Sequence, residues 1–389
     1  MADMAIECAG RGMEVYFITI EPAKPFFSSG GRETMISLLQ PYGSVRLFTK
    51  KIGWQFEFGT EPFKARIYME LVTKNVPKHA NIILSDDSAV WRTSELLNGQ
   101  YNFIGVLHAD EPHYYSLAKR YKDSLDFFVC VSQRITNTLK ALDLGIDADR
   151  IDTIPCGIPL PDFKPLASNN QLLTIVYAGR ITQYQKRVFD IPVICKLLRE
   201  QSVPFQLSII GSGHDQKYLE EQMVNAALEK HVNFLGWLSK EQIFECMRVS
   251  DLLILTSDFE GMPIAVMEAL SCGCGVVSTR VSGVEDYEFH PLANNCVWLY
   301  DIGDVSGAVR KIAEAKEVLR DTRQAAARSL AEAEFDIGLC LKKYLKAFEG
   351  IKMTFKKPSR KKAFSLPRYI GSYLLSYTRY LRVNLALRK

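Results

Sequence analysis

Short apolar runs alternate with amphipathic stretches along most of the chain. The first half has the runs EVYFITI, SVRLFTK, NIILSDD, NFIGVLH, DFFVCVS and IDTIPCG, and the second half has LLTIVYAGR, QLSIIGSG, VNFLGW, DLLILTS, CGVVST and CVWLY. Runs that are apolar throughout are typical of strands covered on both faces, and the stretches between them are long enough for helices. The pattern therefore predicts an α/β fold with parallel sheets.

A segment rich in proline and polar residues, IPCGIPLPDFKPLASNN, separates the two sets of predicted strands. Such a composition suits a hinge, and 389 residues suit about two domains. We expect a first doubly wound domain over 1–165, a second over 166–349 and a tail over 350–389.

Composition narrows the class of protein. Hydrophobic residues make up 47% and charged residues 24%, which is typical of a folded globular chain. Nine cysteines without a C-x-x-C pair favour a reduced cytoplasmic protein and argue against a zinc site. Every stretch of about 18 residues carries charge, so we expect a soluble or peripheral protein.

The net charge of +4 hides a basic tail. From Gly350 onward the chain has 11 Lys and Arg and no acid, which leaves 37 basic and 44 acidic residues before it. In the tail Ile370, Leu374, Tyr377, Leu381 and Leu385 recur at helical spacing. We expect residues 352–389 to bind an anionic membrane surface at the inner face of the cell membrane. The alternative is a helix packed on the protein's own acidic body.

Two glutamates frame a turn in the stretch SDFEGMPIAVMEALSCG, which follows a predicted strand and opens a predicted helix. Gly261 lets the backbone come close to a ligand, and the free amides of Ile264 and Ala265 at the helix start can bind an anion. Glu260 and Glu268 can then border one cleft, with a phosphate-binding site between them.

A second cluster of candidates follows the strand in VYAGRITQYQKR. Arg180 comes just after this strand, and Lys186 lies six positions further on. Two cations there could hold a diphosphate leaving group, because the β-phosphate gains negative charge when a sugar leaves it.

Together these motifs resemble the retaining glycosyltransferases of the GT-B fold in glycosyltransferase family 4, over about residues 7–349. Glu260 and Glu268 match the family's E-x7-E motif, and Arg180 and Lys186 match its G-R-to-Lys spacing. VLHADE resembles the strand end that carries the family's active-site histidine, here His108. VCVSQRI resembles the next landmark after VLHADE in the first half, and IIGSGHDQKYLE and STRVSGVED follow in the family's order in the second half.

The resemblance implies two Rossmann-like domains facing across an active-site cleft. Glu260 would hold hydroxyls of the donor sugar, Glu268 the ribose, and Arg180 and Lys186 the diphosphate, while His108 would reach over the sugar. The donor would be a UDP-, GDP- or similar nucleotide sugar, and the acceptor a glycan or lipid-linked saccharide, with retained configuration.

The resemblance also implies no metal and no cofactor, and nothing in the sequence indicates a nucleic-acid partner. The single D-x-D, Asp147 and Asp149, lies in a polar loop away from the motifs and is expected to be solvated surface.

The sequence departs from the family pattern at its start and at single positions. AIECAGRGMEV already resembles the end of the family's first helix, so we expect the first strand and its glycine loop to be missing. In a rival alignment, Gly30 and Gly31 form that loop. Arg187 stands where glycine usually follows the lysine, and Asp286 can fill an acidic role with a shorter arm.

Two other function classes remain open at this point. One is a nucleotide-sugar epimerase or hydrolase on the same fold. The other is an inactive nucleotide-sugar-binding or membrane-surface module.

Overall fold

The computed structural model describes residues 2–22, 45–52, 59–85, 87–165 and 172–351. The alternative loop at Gly30 and Gly31 and the predicted membrane-binding segment 352–389 lie outside these residues. The domain boundary near residue 165 stays a prediction.

The first half contains two parallel sheets. The strands are β1 Val15–Pro22, β2 Val45–Ile52, β3 Asn81–Leu84, β4 Asn102–Leu107, β5 Phe127–Cys130 and β6 Ile151–Thr153. β1 pairs with β2, and β3 to β6 form a four-stranded sheet in that order. No ladder between described strands joins the two sheets. The proposed missing first strand stays a prediction.

Helices separate these strands as a parallel sheet requires. They are α1 Ala2–Gly10, α2 Glu61–Asn75, α3 Ser88–Leu96, α4 Pro112–Tyr121 and α5 Gln133–Ala141. Ser132 caps α5, since its hydroxyl accepts a hydrogen bond from the Ile135 amide at 3.3 Å.

The second half contains one six-stranded parallel sheet. Its strands are β7 Leu173–Ala178, β8 Phe205–Ile210, β9 Val232–Gly236, β10 Leu252–Leu255, β11 Gly275–Thr279 and β12 Val297–Tyr300. Its helices are α6 Gln183–Lys186, α7 Asp190–Glu200, α8 Gln216–Asn225, α9 Lys240–Val249, α10 Ile264–Ser271, α11 Val305–Glu317, α12 Arg320–Glu334 and α13 Ile337–Gly350. All twelve predicted strands and the α/β class are confirmed.

The strand order of the second sheet creates a crevice. The order is β12-β11-β10-β7-β8-β9, so the chain proceeds outward in one direction from β7 and in the other from β10. Loops that leave the carboxyl ends of two such neighbouring strands diverge, and ligands bind in the gap between them. This gap, at the ends of β7 and β10, is the topological switch point of the sheet. Arg180 and Lys186 follow β7, and Glu260 follows β10.

The main hydrophobic core runs through both halves. It includes Phe103 of β4 and Val129 of β5 in the four-stranded sheet, and Leu253 and Met267 in the second half. The end of the chain strengthens this connection. The Ile158 amide donates to the Phe335 carbonyl at 2.8 Å, and the Ile158 carbonyl accepts from the Ile337 amide at 3.0 Å. The helix that follows, α13, packs on α1.

All nine cysteines are free thiols. No helix within the described residues is both long and apolar enough to cross a bilayer.

Candidate active site at the switch point

The loops after β7 and β10 meet through an ion pair. The Lys186 ammonium contacts the Glu260 carboxylate, which also accepts a 2.7 Å hydrogen bond from the Ser257 hydroxyl. The Lys186 and Glu260 side chains are only 15% and 8% exposed. Two predicted site residues are therefore held together in a desolvated position, where a charge contact is strong.

Hydrogen bonds to main-chain carbonyl groups fix the two loops against each other. The Thr256 hydroxyl donates to the Lys186 carbonyl at 2.6 Å, and the Asp258 amide donates to the Gln185 carbonyl at 2.8 Å. The Gln185 side-chain amide donates to the Phe259 carbonyl at 3.2 Å. The position of Lys186 therefore depends on both strands.

Arg180 differs from Lys186 in its surroundings. Its side chain is exposed, and it forms no ion pair with any residue that the structure describes. Its carbonyl accepts a 2.9 Å hydrogen bond from the buried Tyr177 hydroxyl, which anchors the backbone. The guanidinium is left available for a ligand anion.

The start of α10 offers donors beside these cations. Pro263 precedes the first helical residue in an extended conformation, one position earlier than the sequence indicated. The amides of Ile264 and Ala265 have no acceptor among the described residues, and Ile264 is 47% exposed. Free amides at a helix start bind anions.

Glu268 is a half-buried carboxyl group without a hydrogen-bond or ion-pair partner among the described residues. Burial raises the pKa of Glu268 to about 7, with a smaller lowering by Lys240 and a smaller raising by Asp3. A carboxyl group that is desolvated without compensation is costly to the fold, which is typical of a ligand-binding group.

The main chain around His108 contacts the loop of Glu260 from the first half of the molecule, and the role of the His108 ring stays a prediction. His108 follows β4, and the amide of Asp110, two residues on, donates to the Glu260 carbonyl at 3.2 Å. The His108 ring lies 6.5 Å from the Tyr114 ring in an edge-to-face arrangement.

Gly261 allows a close contact between the halves, and its predicted role in bringing the backbone close to a ligand stays a prediction. A Cβ atom there would overlap the carbonyl oxygen of His108 and lie 2.9 Å from Ala109 Cα. Only glycine allows the two main chains to approach this closely.

A second set of contacts joins the halves, and the sequence did not predict it. The hydroxyls of Ser132 and Ser282 lie 2.6 Å apart, and Arg134 forms an ion pair with Glu285. The Asp286 carboxylate accepts a 2.8 Å hydrogen bond from the Gln133 amide at the start of α5. The Asp286 carboxylate therefore stabilises the start of α5.

Arg187 shows why glycine suits its position. Its backbone is left-handed, with φ 45° and ψ 44°. Its guanidinium contacts Asp190 at 2.8 Å and Asp258 at 3.3 Å, and these partners offset a strain of about 1 kcal/mol.

Trp237 is a further candidate that the sequence did not single out. It follows β9, is 81% exposed, and donates a 2.5 Å hydrogen bond to the Ser212 hydroxyl. The Ser212 carbonyl accepts from the Ile181 amide at 2.9 Å, so the indole lies near the loop of Arg180.

Asp147 and Asp149 are both exposed in a 3₁₀ turn, as the sequence predicted. No group of three or more His, Cys, Asp or Glu among the described residues is placed to hold a metal ion.

The chain is similar to known glycosyltransferases in sequence and to a solved structure in fold. Residues 161–329 match the family described as "Glycosyl transferases group 1". The chain is 28% identical over 208 residues to the amylovoran biosynthesis glycosyltransferase AmsK of Erwinia amylovora, covering 51% of this chain and 50% of AmsK. It is 25% identical over 194 residues to the Escherichia coli UDP-Gal:alpha-D-GlcNAc-diphosphoundecaprenol alpha-1,3-galactosyltransferase, covering 44% and 46%. The chain spans about half the length of the curated relatives it matches.

Among solved structures, Anabaena Alr3699/HepE in complex with UDP and glucose superposes with a TM-score of 0.62 at 16% identity. The match covers 86% of this chain and 99% of HepE. A likeness at this identity concerns the fold. Residues 161–329 thus match a glycosyltransferase group 1 domain, and the chain has the GT-B fold.

Proposed function

We propose that this protein is a glycosyltransferase that moves a hexosyl unit from a nucleotide-diphosphate sugar to an acceptor hydroxyl, with retention of configuration. One observation supports the proposal: after the neighbouring strands β7 and β10, a cation, two helix-start amides and a carboxyl group have no partner among the described residues, and these groups belong to Arg180, Ile264, Ala265 and Glu268.

Each group suits one part of such a donor. Arg180, Lys186 and the amides of Ile264 and Ala265 bind the diphosphate, and they stabilise it most when the sugar leaves and charge builds on the β-phosphate. Glu268 accepts hydrogen bonds from the ribose hydroxyls. The indole of Trp237 offers a flat apolar surface on which the base can stack.

Glu260 and His108 act on the sugar. The Glu260 carboxylate, oriented by Ser257 and Lys186, accepts hydrogen bonds from sugar hydroxyls. His108 approaches the same sugar from the first half of the molecule. A leaving-group phosphate oxygen takes the proton of the acceptor hydroxyl as the acceptor attacks from the side that the diphosphate leaves, and this keeps the donor configuration.

The acceptor is a glycan or a lipid-linked saccharide. The matched E. coli relative is described as acting on a diphosphoundecaprenol-linked sugar. The basic segment 352–389 would bring the cleft to such an acceptor at an anionic membrane.

The test offers purified protein a panel of UDP-, GDP- and ADP-sugars, with binding and turnover followed separately. We expect one donor to bind and to be transferred to a saccharide acceptor, with an α linkage by NMR if the donor is α. A β product would contradict the retaining mechanism. Binding without turnover would indicate an inactive module, and a changed donor sugar without transfer would indicate an epimerase.

A further inference from the structure

An ion pair links the first helix to the nucleotide side of the candidate site. The Asp3 carboxylate, near the start of α1, lies 3.2 and 3.5 Å from the Lys240 ammonium at the start of α9. Both side chains are a little over one third exposed. The two residues are 237 positions apart, so the pair ties distant parts of the chain together.

Lys240 is poorly placed for helix stability. It is the first residue of α9, where the helix dipole presents its positive end and disfavours a cation. The cap of this helix does not need it, because Ser239 and Gln242 form a complete capping box. Within α9 the Lys240 ammonium lies 5.8 Å from the centre of the Phe244 ring, and its one carboxylate partner among the described residues is Asp3, outside the helix.

Two anions compete for this ammonium. α9 packs against α10, which carries Glu268, and the charge of Lys240 favours the ionised form of that carboxyl group. Asp3 opposes it by adding a negative charge. Glu268 has no direct partner among the described residues, whereas Asp3 holds Lys240.

Among the described residues, charged groups from two other helices influence the ionisation of the Glu268 carboxyl group. Asp3 comes from α1 and Lys240 from α9, while Cys272, just after α10, is itself influenced by Glu268. From α9 and α12, Arg248 and Arg328 act on Cys272.

We propose that Lys240 is a positioning residue for the donor. Without a bound nucleotide, Asp3 holds the Lys240 ammonium away from Glu268, and when a nucleotide binds, the ammonium moves to Glu268. This inference rests on the proposed function, since it takes Glu268 as the ribose-binding carboxylate. It makes α1 a part of donor binding, although α1 belongs to the first half.

The proposal predicts opposite effects for the two partners. Lys240→Met removes the cation that favours the charged form of Glu268, so the titration midpoint of Glu268 rises and UDP binds about three- to tenfold more weakly near neutral pH. Asp3→Asn releases Lys240 to Glu268, so the midpoint falls and UDP binds more tightly by a similar factor. A merely structural tether would give the same direction in both variants.

The experiment measures the two effects on the full chain. Carboxyl carbon NMR of labelled glutamate follows the Glu268 titration, assigned by the signal that Glu268→Gln removes, and calorimetry gives the affinity for UDP. The control is an exposed pair of the same kind in α11, Lys311 and Glu314 at 2.8 Å, where Lys311→Met and Glu314→Gln should change neither quantity.

Opposite shifts in the two variants support the proposal, and they should shrink at about 0.5 M salt because both contacts are partly exposed. Shifts of the same sign, or none, overturn it. If the wild type fails to bind UDP, the assumed donor is wrong, yet the Glu268 titration in the free protein still decides between a competing pair and a tether.

Discussion

At the scale of residues, Arg180 and Lys186 have the same charge but different attachments. Arg180 is exposed and unpaired within the described residues, whereas Lys186 is the partner of the buried Glu260 carboxylate. Substituting either cation therefore tests the same catalytic role with different structural consequences.

We expect Arg180→Ala and Lys186→Ala each to lower kcat/KM by about two to three powers of ten, because each removes a charge contact to the leaving group. Lys186→Ala should also lower the free energy of unfolding by about 3 kcal/mol, since it leaves Glu260 buried and unpaired. Arg180→Ala should leave stability unchanged.

Steady-state kinetics and urea titrations measure both quantities. Lys196→Ala serves as a control, because Lys196 is an exposed lysine of α7 whose one ion pair with a described residue is to Glu200, at 3.8 Å. Turnover close to that of the wild type in either site variant would remove the leaving-group role.

Glu268 predicts a pH dependence. Its pKa is about 7 in the folded protein and about 4.3 in an unfolded chain, so between these values the folded state binds more protons. The free energy of unfolding should then fall as pH rises through this window, by about 4 kcal/mol in all. Nucleotide affinity should rise over the upper part of the window, since the charged carboxylate is the better acceptor for ribose hydroxyls.

Glu268→Gln should therefore be more stable than the wild type at about pH 8 and equal to it at about pH 4, while binding nucleotide more weakly. Denaturation curves and calorimetry at several pH values test this. Equal pH dependence of unfolding in both proteins would show that Glu268 is not the titrating group.

At the scale of elements, the close contact between the ends of β4 and β10 depends on Gly261. Gly261→Ala should push His108 away from Glu260 and lower kcat/KM by at least about 100-fold, because the added methyl group overlaps main-chain atoms that cannot rotate aside.

The comparison for this variant is Gly350→Ala at the end of α13, where a Cβ atom meets no described residue within 4 Å. Normal activity of Gly261→Ala would mean that the two loops can separate without loss of the site.

The sequence predicted every described strand because each is an apolar run bounded by polar or turn residues. It also proposed Arg180, Lys186, Glu260 and Glu268 as site residues from their spacing after β7 and β10, and their roles stay predictions. It did not predict the close contact of Gly261 with the main chain of His108, because His108 lies more than 150 positions earlier.

The contacts between the two halves were equally out of reach. Arg134 and Glu285 are 151 positions apart, and nothing in the neighbourhood of either residue indicates the other. Trp237 was missed because an aromatic residue after a strand is usually buried, and only the structure reveals its exposure.

At the scale of the whole molecule, the basic segment 352–389 predicts membrane attachment. Ending the chain at residue 351 should abolish binding to vesicles that contain anionic lipid, and the binding of the full chain should fall with salt. Transfer to a short soluble acceptor should be largely unchanged.

Vesicle sedimentation and a soluble-acceptor assay on both chain lengths check this. Retained vesicle binding by the shorter chain, or its failure to fold, would instead favour a helix that packs on the protein itself.

The return of α13 to α1 has a consequence for how the protein is made. A ribosome synthesises the first half before the second, yet the helix that covers α1 and the segment around Ile158 is translated after every described strand of the three sheets. Until then the earlier part of the nascent chain carries apolar surface without its native cover. The first half therefore completes its folding last, and its maturation depends on successful synthesis of the second.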